Sequence, residues 1–260
     1  MTEDRAAPIH LDLDDRFYRH VEAAPFPQHI LRWRNDRAAA TVGLDALDDT
    51  AWVDHFGRFA PLPGNIGAPL ALCYHGHQFG HYNHELGDGR GFLFAQLRAY
   101  DGRILDLGTK GSGQTPFSRT ADGRLTLKGA VREIMATELL EALGVNTSKT
   151  FSVIETGESL QRHDEPSPTR AAVMVRLSHG HIRIGSFQRC RYLEDVEGIE
   201  MLMRHTARHH FAEELDANAP VNDLAPAFLA TVAARVAATA GSWMAAGFVH
   251  GVLNTDNFNV

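Results

Sequence analysis

The chain has 260 residues, enough for one large domain or two small lobes, and 44% of them are apolar, which is ample for a core. Its 25 Lys and Arg face 32 Asp and Glu, a formal charge of -7, so the surface as a whole gives no electrostatic reason to bind nucleic acid or an anionic membrane. Two cysteines, Cys73 and Cys190, are too few for a disulfide framework and form no C-x-x-C pair. The acidic start lacks the basic and apolar parts of a signal peptide, and no run approaches the length of a membrane span, so a soluble cytoplasmic protein is expected.

Residues 1 to about 70 mix short apolar groups with Pro25, Pro27, Pro61, Pro63 and Gly64, which predicts helices and loops wrapping a core. His75, His77, His81 and His84 then fall within ten residues. They read either as a zinc site or as a hydrogen-bonded loop. Gly76 and Gly80 oppose the helix that would align His77 with His81, and the spacing fits no zinc finger, which favours the loop.

Leu86-Gly87-Asp88-Gly89-Arg90-Gly91 is a glycine loop whose exposed N–H groups and single Arg suit a phosphate or nucleotide; a plain turn is the alternative. The apolar stretch 91–98, the Asp101-Gly102 dipeptide and the stretch 103–110 predict a hairpin with a type I′ turn. That hairpin returns Lys110 to the glycine loop, a geometry for gripping phosphates. No G-K-[ST] follows a glycine run, which excludes a Walker-type P-loop.

Thr126 is a plausible N-cap for a helix with an apolar stripe from Leu127 to Leu143, closed by Gly144. Glu133 lies on the flank of that stripe, where its carboxylate can reach the sheet and hold a strand Lys; a solvated helix Glu is the alternative. Strands are predicted at 150–154 and 171–177. Arg176 and Arg183 bracket a short turn and read either as a pair converging on one anion, since a guanidinium takes two phosphate oxygens at once, or as unpartnered surface arginines. Helices follow from about 193 to 211 and from 225 to 247, with His205, His209 and His210 read as surface residues.

The end of the chain, 248–260, reads as strand, tight loop, strand with Asn254, Asp256 and Asn257 at the loop. His250 and Asn257 keep the spacing of the protein-kinase loop H-R-D-L-x-x-x-N, and Leu253 stands where expected. Val252 occupies the place of the Asp, and the loop's carboxylate is Asp256, beside the metal-type Asn.

Taken together, G-H-Q-F-G-H at 76–81, L-G-D-G-R at 86–90, K-G-S-G-Q-T-P-F-S-R at 110–119, A-D-G-R at 121–124, Arg132-Glu133, R-I-G-S-F at 183–187 and H-G-V-L-N-T-D-N at 250–257 resemble the selenoprotein O family, the bacterial YdiU-type proteins. These are kinase-fold enzymes that transfer AMP to proteins. The resemblance implies an α+β, protein-kinase-like two-lobed fold: an extension over 1–85, an antiparallel-sheet N-lobe over 86–190, and from 191 to 260 the start of a helical C-lobe that is only partly present.

It further implies that Lys110, held by Glu133, binds nucleotide phosphates. Gly87, Gly89, Arg90, Asp122 and Gly123 would line the pocket, and Arg176 and Arg183 would hold the buried phosphate end. Asp256 would be the proton acceptor and Asn257 a ligand of Mg2+, with Mn2+ as a substitute. ATP would lie reversed relative to ordinary kinases, so AMP passes to Ser, Thr or Tyr hydroxyls of protein substrates. Val252 keeps a second reading open, an inert nucleotide-binding pseudokinase that regulates a partner. Family members continue through a metal-binding D-x-G segment, so a chain ending at Val260 is expected to be poorly active or inactive.

Overall fold

The computed structural model describes residues 3–260 and is α+β. Its strands are β1 (Tyr18–His20), β2 (Ile30–Arg34), β3 (Leu70–Leu72), β4 (Gly76–Gln78), β5 (His81–Asn83), β6 (Leu93–Arg98), β7 (Ile104–Lys110), β8 (Leu125–Thr126), β9 (Lys149–Leu160) and β10 (Thr169–Ser178). Its helices are α1 (Asp36–Thr41), α2 (Asp49–Phe56), α3 (Leu127–Ala142), α4 (Ile184–Tyr192), α5 (Val196–His210) and α6 (Val221–Ala245). An antiparallel sheet runs in the order β1-β3-β6-β7-β10-β9-β2, with β8 added beside β10. β4 and β5 pair separately as a small hairpin that holds His77 and His81 on opposing strands.

The expectation of only helices and loops before residue 70 is corrected, because β1 and β2 form the two edges of the main sheet. Their alternation is masked by charged residues: Arg19 and His20 are exposed, and Arg32 and Arg34 lie in the second strand. α1 and α2 do start at predictable caps, where Asn35 accepts from the Ala38 amide and Asp48 from the Ala51 amide.

These two helices close one face of the sheet. Trp52 stacks on Phe151 with ring centroids 4.9 Å apart, meets Phe56 edge-on at 4.6 Å and donates its indole N–H to Ser152 Oγ at 2.9 Å. The surrounding cluster takes Phe94, Leu105, Leu107, Ile154, Val173 and Val175 from the central strands.

The hairpin of β6 and β7 forms, with a different turn. Type I′ needs left-handed backbone at both central residues, and of Asp101 and Gly102 only Gly102 has it, at φ 86°. Ala99 and Arg103 close a three-residue loop instead, with the Ala99 amide on Arg103 O at 2.8 Å and Asp101 Oδ1 accepting from the Arg103 amide at 3.1 Å.

α3 begins at Thr126, whose hydroxyl accepts from the Gly129 amide at 3.1 Å, and stops before Gly144 at φ 78°. Its apolar stripe does not all face inward: Val131, Met135, Leu139 and Leu143 are exposed. Toward the sheet α3 presents Ala130, Glu133, Ile134, Thr137 and Leu140, and Thr137 hydrogen-bonds the Thr150 hydroxyl at 3.0 Å. Polar groups that do work at the sheet displace the stripe.

α4 was hidden by Gly185 and by its high proportion of polar residues. α6 is long and apolar enough, by length and composition, to match a membrane span, which corrects the sequence-based exclusion. Much of that apolarity is alanine, and Leu224, Phe228 and Val232 pack on Met203, Ala207 and Phe211. No strands flank the terminal loop; residues 248–260 are irregular apart from a bridge between Asn259 and Arg183.

Replacing Trp52 by Ala is expected to cost about 3–5 kcal/mol, read as a lower midpoint in urea denaturation. A loss under about 1 kcal/mol would show that the site collapses around the gap.

Candidate functional site

Register alone brings the first cluster together. Lys110 on β7 lies opposite Met174 on β10, so Arg176, two residues further on, shares its face. The residue directly opposite Arg176 is Gly108, and the His181 ring occupies the space where its side chain would begin. α3 crosses these strands and sets Glu133 between the two cations: Lys110 Nζ donates to Glu133 Oε1 and Arg176 Nη2 to Oε2.

Burial pushes the Lys110 ammonium down to about 8, with Arg176 and Arg90 adding to the effect and Glu133 opposing it. Burial alone would raise the Glu133 carboxyl, but Arg176 and Lys110 outweigh it and hold the group below its ordinary value. Glu133 therefore stays ionised between two cations, and each cation keeps further N–H donors for an anion.

The glycine loop is fastened rather than loose. The Phe117 ring fills the space where a Gly87 side chain would begin, and a Cβ on Gly89 would lie 2.8 Å from Phe117 O. Thr115 Oγ1 donates to Asp88 O and Ser118 Oγ to Gly89 O, both at 2.5 Å, while the Gly111 amide donates to Arg90 O at 2.7 Å. These glycines admit a neighbouring segment of the chain. Arg90 itself is exposed.

Asp122 pairs with Arg162 at 2.8 Å and accepts from the Arg124 amide at 3.0 Å. Burial acts to raise its carboxyl, and Arg162 overcomes that to lower it. Gly123, at φ 69°, packs on Gly113, and its carbonyl accepts from the Gly113 amide at 3.2 Å. Both residues thus brace the 111–124 loop.

A second cluster forms around Arg183. Its Nη1 donates to the main-chain carbonyl of Asp256, its Nη2 to Asp88 Oδ1 at 3.3 Å, and its guanidinium lies 4.5 Å over the Tyr74 ring. Burial works against the charge, but Tyr74, Asp88 and Asp256 prevail and raise Arg183 above its ordinary value.

The end of the chain is laid along the Arg183 segment. The Ile184 amide donates to Phe258 O at 3.0 Å, the Gly185 amide to Thr255 O at 3.1 Å, the Val260 amide to Ile182 O at 2.9 Å, and Thr255 Oγ1 to Gln188 Oε1 at 2.5 Å. Asp256 is consequently 7% exposed, and its Oδ1 is buried without a hydrogen-bond partner. Asn257 is exposed and donates Nδ2 to Val252 O at 3.2 Å, so its side-chain oxygen remains available.

Arg176 and Arg183 do not share a protein partner: the first belongs to Glu133, the second to Asp88 and Asp256. Asp88-Gly89-Arg90 joins the two clusters, with Asp88 on Arg183 and the Arg90 carbonyl on Gly111, next to Lys110.

Sequence reading passed over Asp88, Asp106 and His181. Asp106 is buried in β7 between Gln96 Nε2, which donates at 2.7 Å, and His181 Nδ1 at 3.1 Å. The spacing 106, 108, 110 along one strand face, with a carboxylate inside an apolar strand, was the available signal. His181 lies against Gly108, where a Cβ would overlap its ring.

An α+β chain whose sheet, crossing helix and terminal loop hold a Lys-Glu-Arg bridge and a buried, unpartnered Asp carries the elements of a phosphate-handling protein. Comparison gives the family: the family model described as protein adenylyltransferase SelO matches residues 3–260, and the chain belongs to that family. Proteins described as protein nucleotidyltransferase YdiU are 51% identical over 95% of this chain in a Synechocystis species, 48% over 94% in Trichodesmium erythraeum, and 39% over 92% in Aeromonas salmonicida. The chain spans about half the length of these relatives, 51%, 52% and 48% respectively.

Of the three lysines, Lys110, Lys128 and Lys149, Lys110 is expected to show an acylation midpoint near pH 8 by peptide mass spectrometry. A profile shared with Lys128 would contradict the desolvated ammonium. The folded chain releases this proton near 8 and the unfolded chain near 10.5, so the unfolded state binds more protons in that window. Stability relative to Lys110→Met should therefore rise as pH increases across it.

Proposed function

We propose that the protein transfers AMP from ATP to Ser, Thr or Tyr hydroxyls of protein substrates, on a kinase-like two-lobed plan with an extension over 1–85, an N-lobe over 86–190 and C-lobe residues from 191. The observation that carries this reading is the buried Asp256 Oδ1 without a partner, fixed beside a guanidinium and across one short loop from the Lys110-Glu133-Arg176 bridge. An acceptor of that kind is what a hydroxyl nucleophile requires.

In this reading Lys110 and Arg176, spaced by Glu133, take phosphate oxygens, and Arg183 holds the far phosphate end. Gly87, Gly89 and Arg90 border the nucleotide, with Asp122 and Gly123 bracing the facing loop. The hydroxyl oxygen attacks the α-phosphorus, the bond from the α-phosphorus to the bridging oxygen breaks, pyrophosphate leaves, and the hydroxyl proton passes to Asp256. Positioning and charge neutralisation supply the catalysis, so reversing the nucleotide changes the product without new machinery.

Asp256 Oδ1, which no hydrogen bond engages, and the side-chain oxygen of Asn257, whose Nδ2 is the group bonded to Val252 O, are donors of the type a hard divalent cation takes. Mg2+, or Mn2+ in its place, would neutralise phosphate charge there. Val252, at the place where the kinase loop carries its Asp, favours a second reading, a nucleotide-binding module without chemistry.

Labelled ATP separates the readings. In the protein at its relatives' full length, protein label from α-labelled but not γ-labelled ATP, lost by at least about a hundredfold in Asp256→Asn, is the expected result. Label from γ alone would make the protein a conventional kinase. Nucleotide binding with no transfer, unchanged in Asp256→Asn, would support the binding module.

A further inference from the structure

The three histidines read from the sequence as surface residues are not surface residues as a group. His205 is 4% exposed, and its Nε2 is buried without a hydrogen-bond partner. His10, on the short 3₁₀ turn Ile9–Asp12, is equally buried with its own Nε2 unpartnered, and its ring centroid lies 6.4 Å from that of His205. A buried imidazole nitrogen without a partner, as at His205, is a costly arrangement unless something else occupies it.

His209, one turn along α5 from His205, has its ring 4.7 Å away, and its Nε2 is 3.7 Å from Asp12 Oδ2. One donor atom from each of Asp12, His205 and His209 lies within 4.8 Å of the other two.

We propose that His205, His209 and Asp12 form a binding site for a divalent transition-metal ion of the zinc type, which fastens the amino-terminal segment to the last turn of α5. Two imidazoles and one carboxylate are a donor set for zinc, cobalt or nickel rather than magnesium or calcium. Histidines at i and i+4 present two nitrogens on one helix face, the spacing zinc proteins use for a pair of ligands.

Bonds of about 2.0–2.2 Å put tetrahedral donors about 3.4 Å apart, so closure asks for a shift on the order of 1 Å. Exposed Asp12 and half-buried His209 are free to supply it.

Arg208 and Arg98 stand near His209 and oppose a cation, while the Asp12 carboxylate and the carbonyl end of α5 favour one. The open side at Asp12 leaves a fourth position to water. This site shares no residue with the proposed nucleotide pocket.

Cobalt supplies a visible probe. On titration with Co2+ the chain is expected to develop a visible absorption band of low-coordinate cobalt, with one equivalent displaced by Zn2+, and Zn2+ should raise the Tm. Asp12→Asn and His209→Gln, changes at positions that retain solvent access, should each weaken binding at least about tenfold while circular dichroism stays native. Equal Co2+ affinity in the chain, Asp12→Asn and His209→Gln would overturn the proposal, as would absence of the band.

Discussion

The placement of one carboxylate governs the site. Glu133 accepts from Lys110 and from Arg176, so a helix, a central strand and its neighbour are tied at a single point. Without that charge two cations would face each other in a partly desolvated space, where their repulsion is strong. A buried ion pair is weak evidence of stability, because desolvation offsets much of the attraction. What the arrangement does provide is geometry: two cations held apart at a fixed spacing, each with donors left over. Gly108, opposite Arg176, leaves room for the His181 ring that packs against it.

Local signals were read correctly where local physics dominates. Thr126 as a cap, Gly144 as a stop, the hairpin returning Lys110 and the reach of Glu133 to the sheet all follow from spacing of residues close in sequence. Long-range partners were not legible. Nothing adjacent to Asp88 announces that it meets Arg183, and Arg176 and Arg183 looked like a pair because seven positions separate them, whereas each found its partner on a distant element. β1 and β2 escaped because edge strands carry charge, and His205 looked exposed because helical spacing does not reveal which face a neighbouring segment covers.

The glycine loop shows how one residue type can serve two ends. Its glycines suggested close approach by a ligand, and the structure shows close approach by Phe117 and its neighbours. The hydroxyls of Thr115 and Ser118 then lock the loop's carbonyls in place. The loop is therefore preorganised, and its main-chain geometry is set before anything binds. Family membership places this loop in proteins of the adenylyltransferase class.

Arg183 grips Asp256 by its main-chain carbonyl and not by its carboxylate. Location and reactivity at that residue are thereby separated: the backbone is anchored by a guanidinium, while the acid group carries no duty in holding the loop. A change from the acid to its isosteric amide would accordingly leave the main-chain anchor at 256 in place.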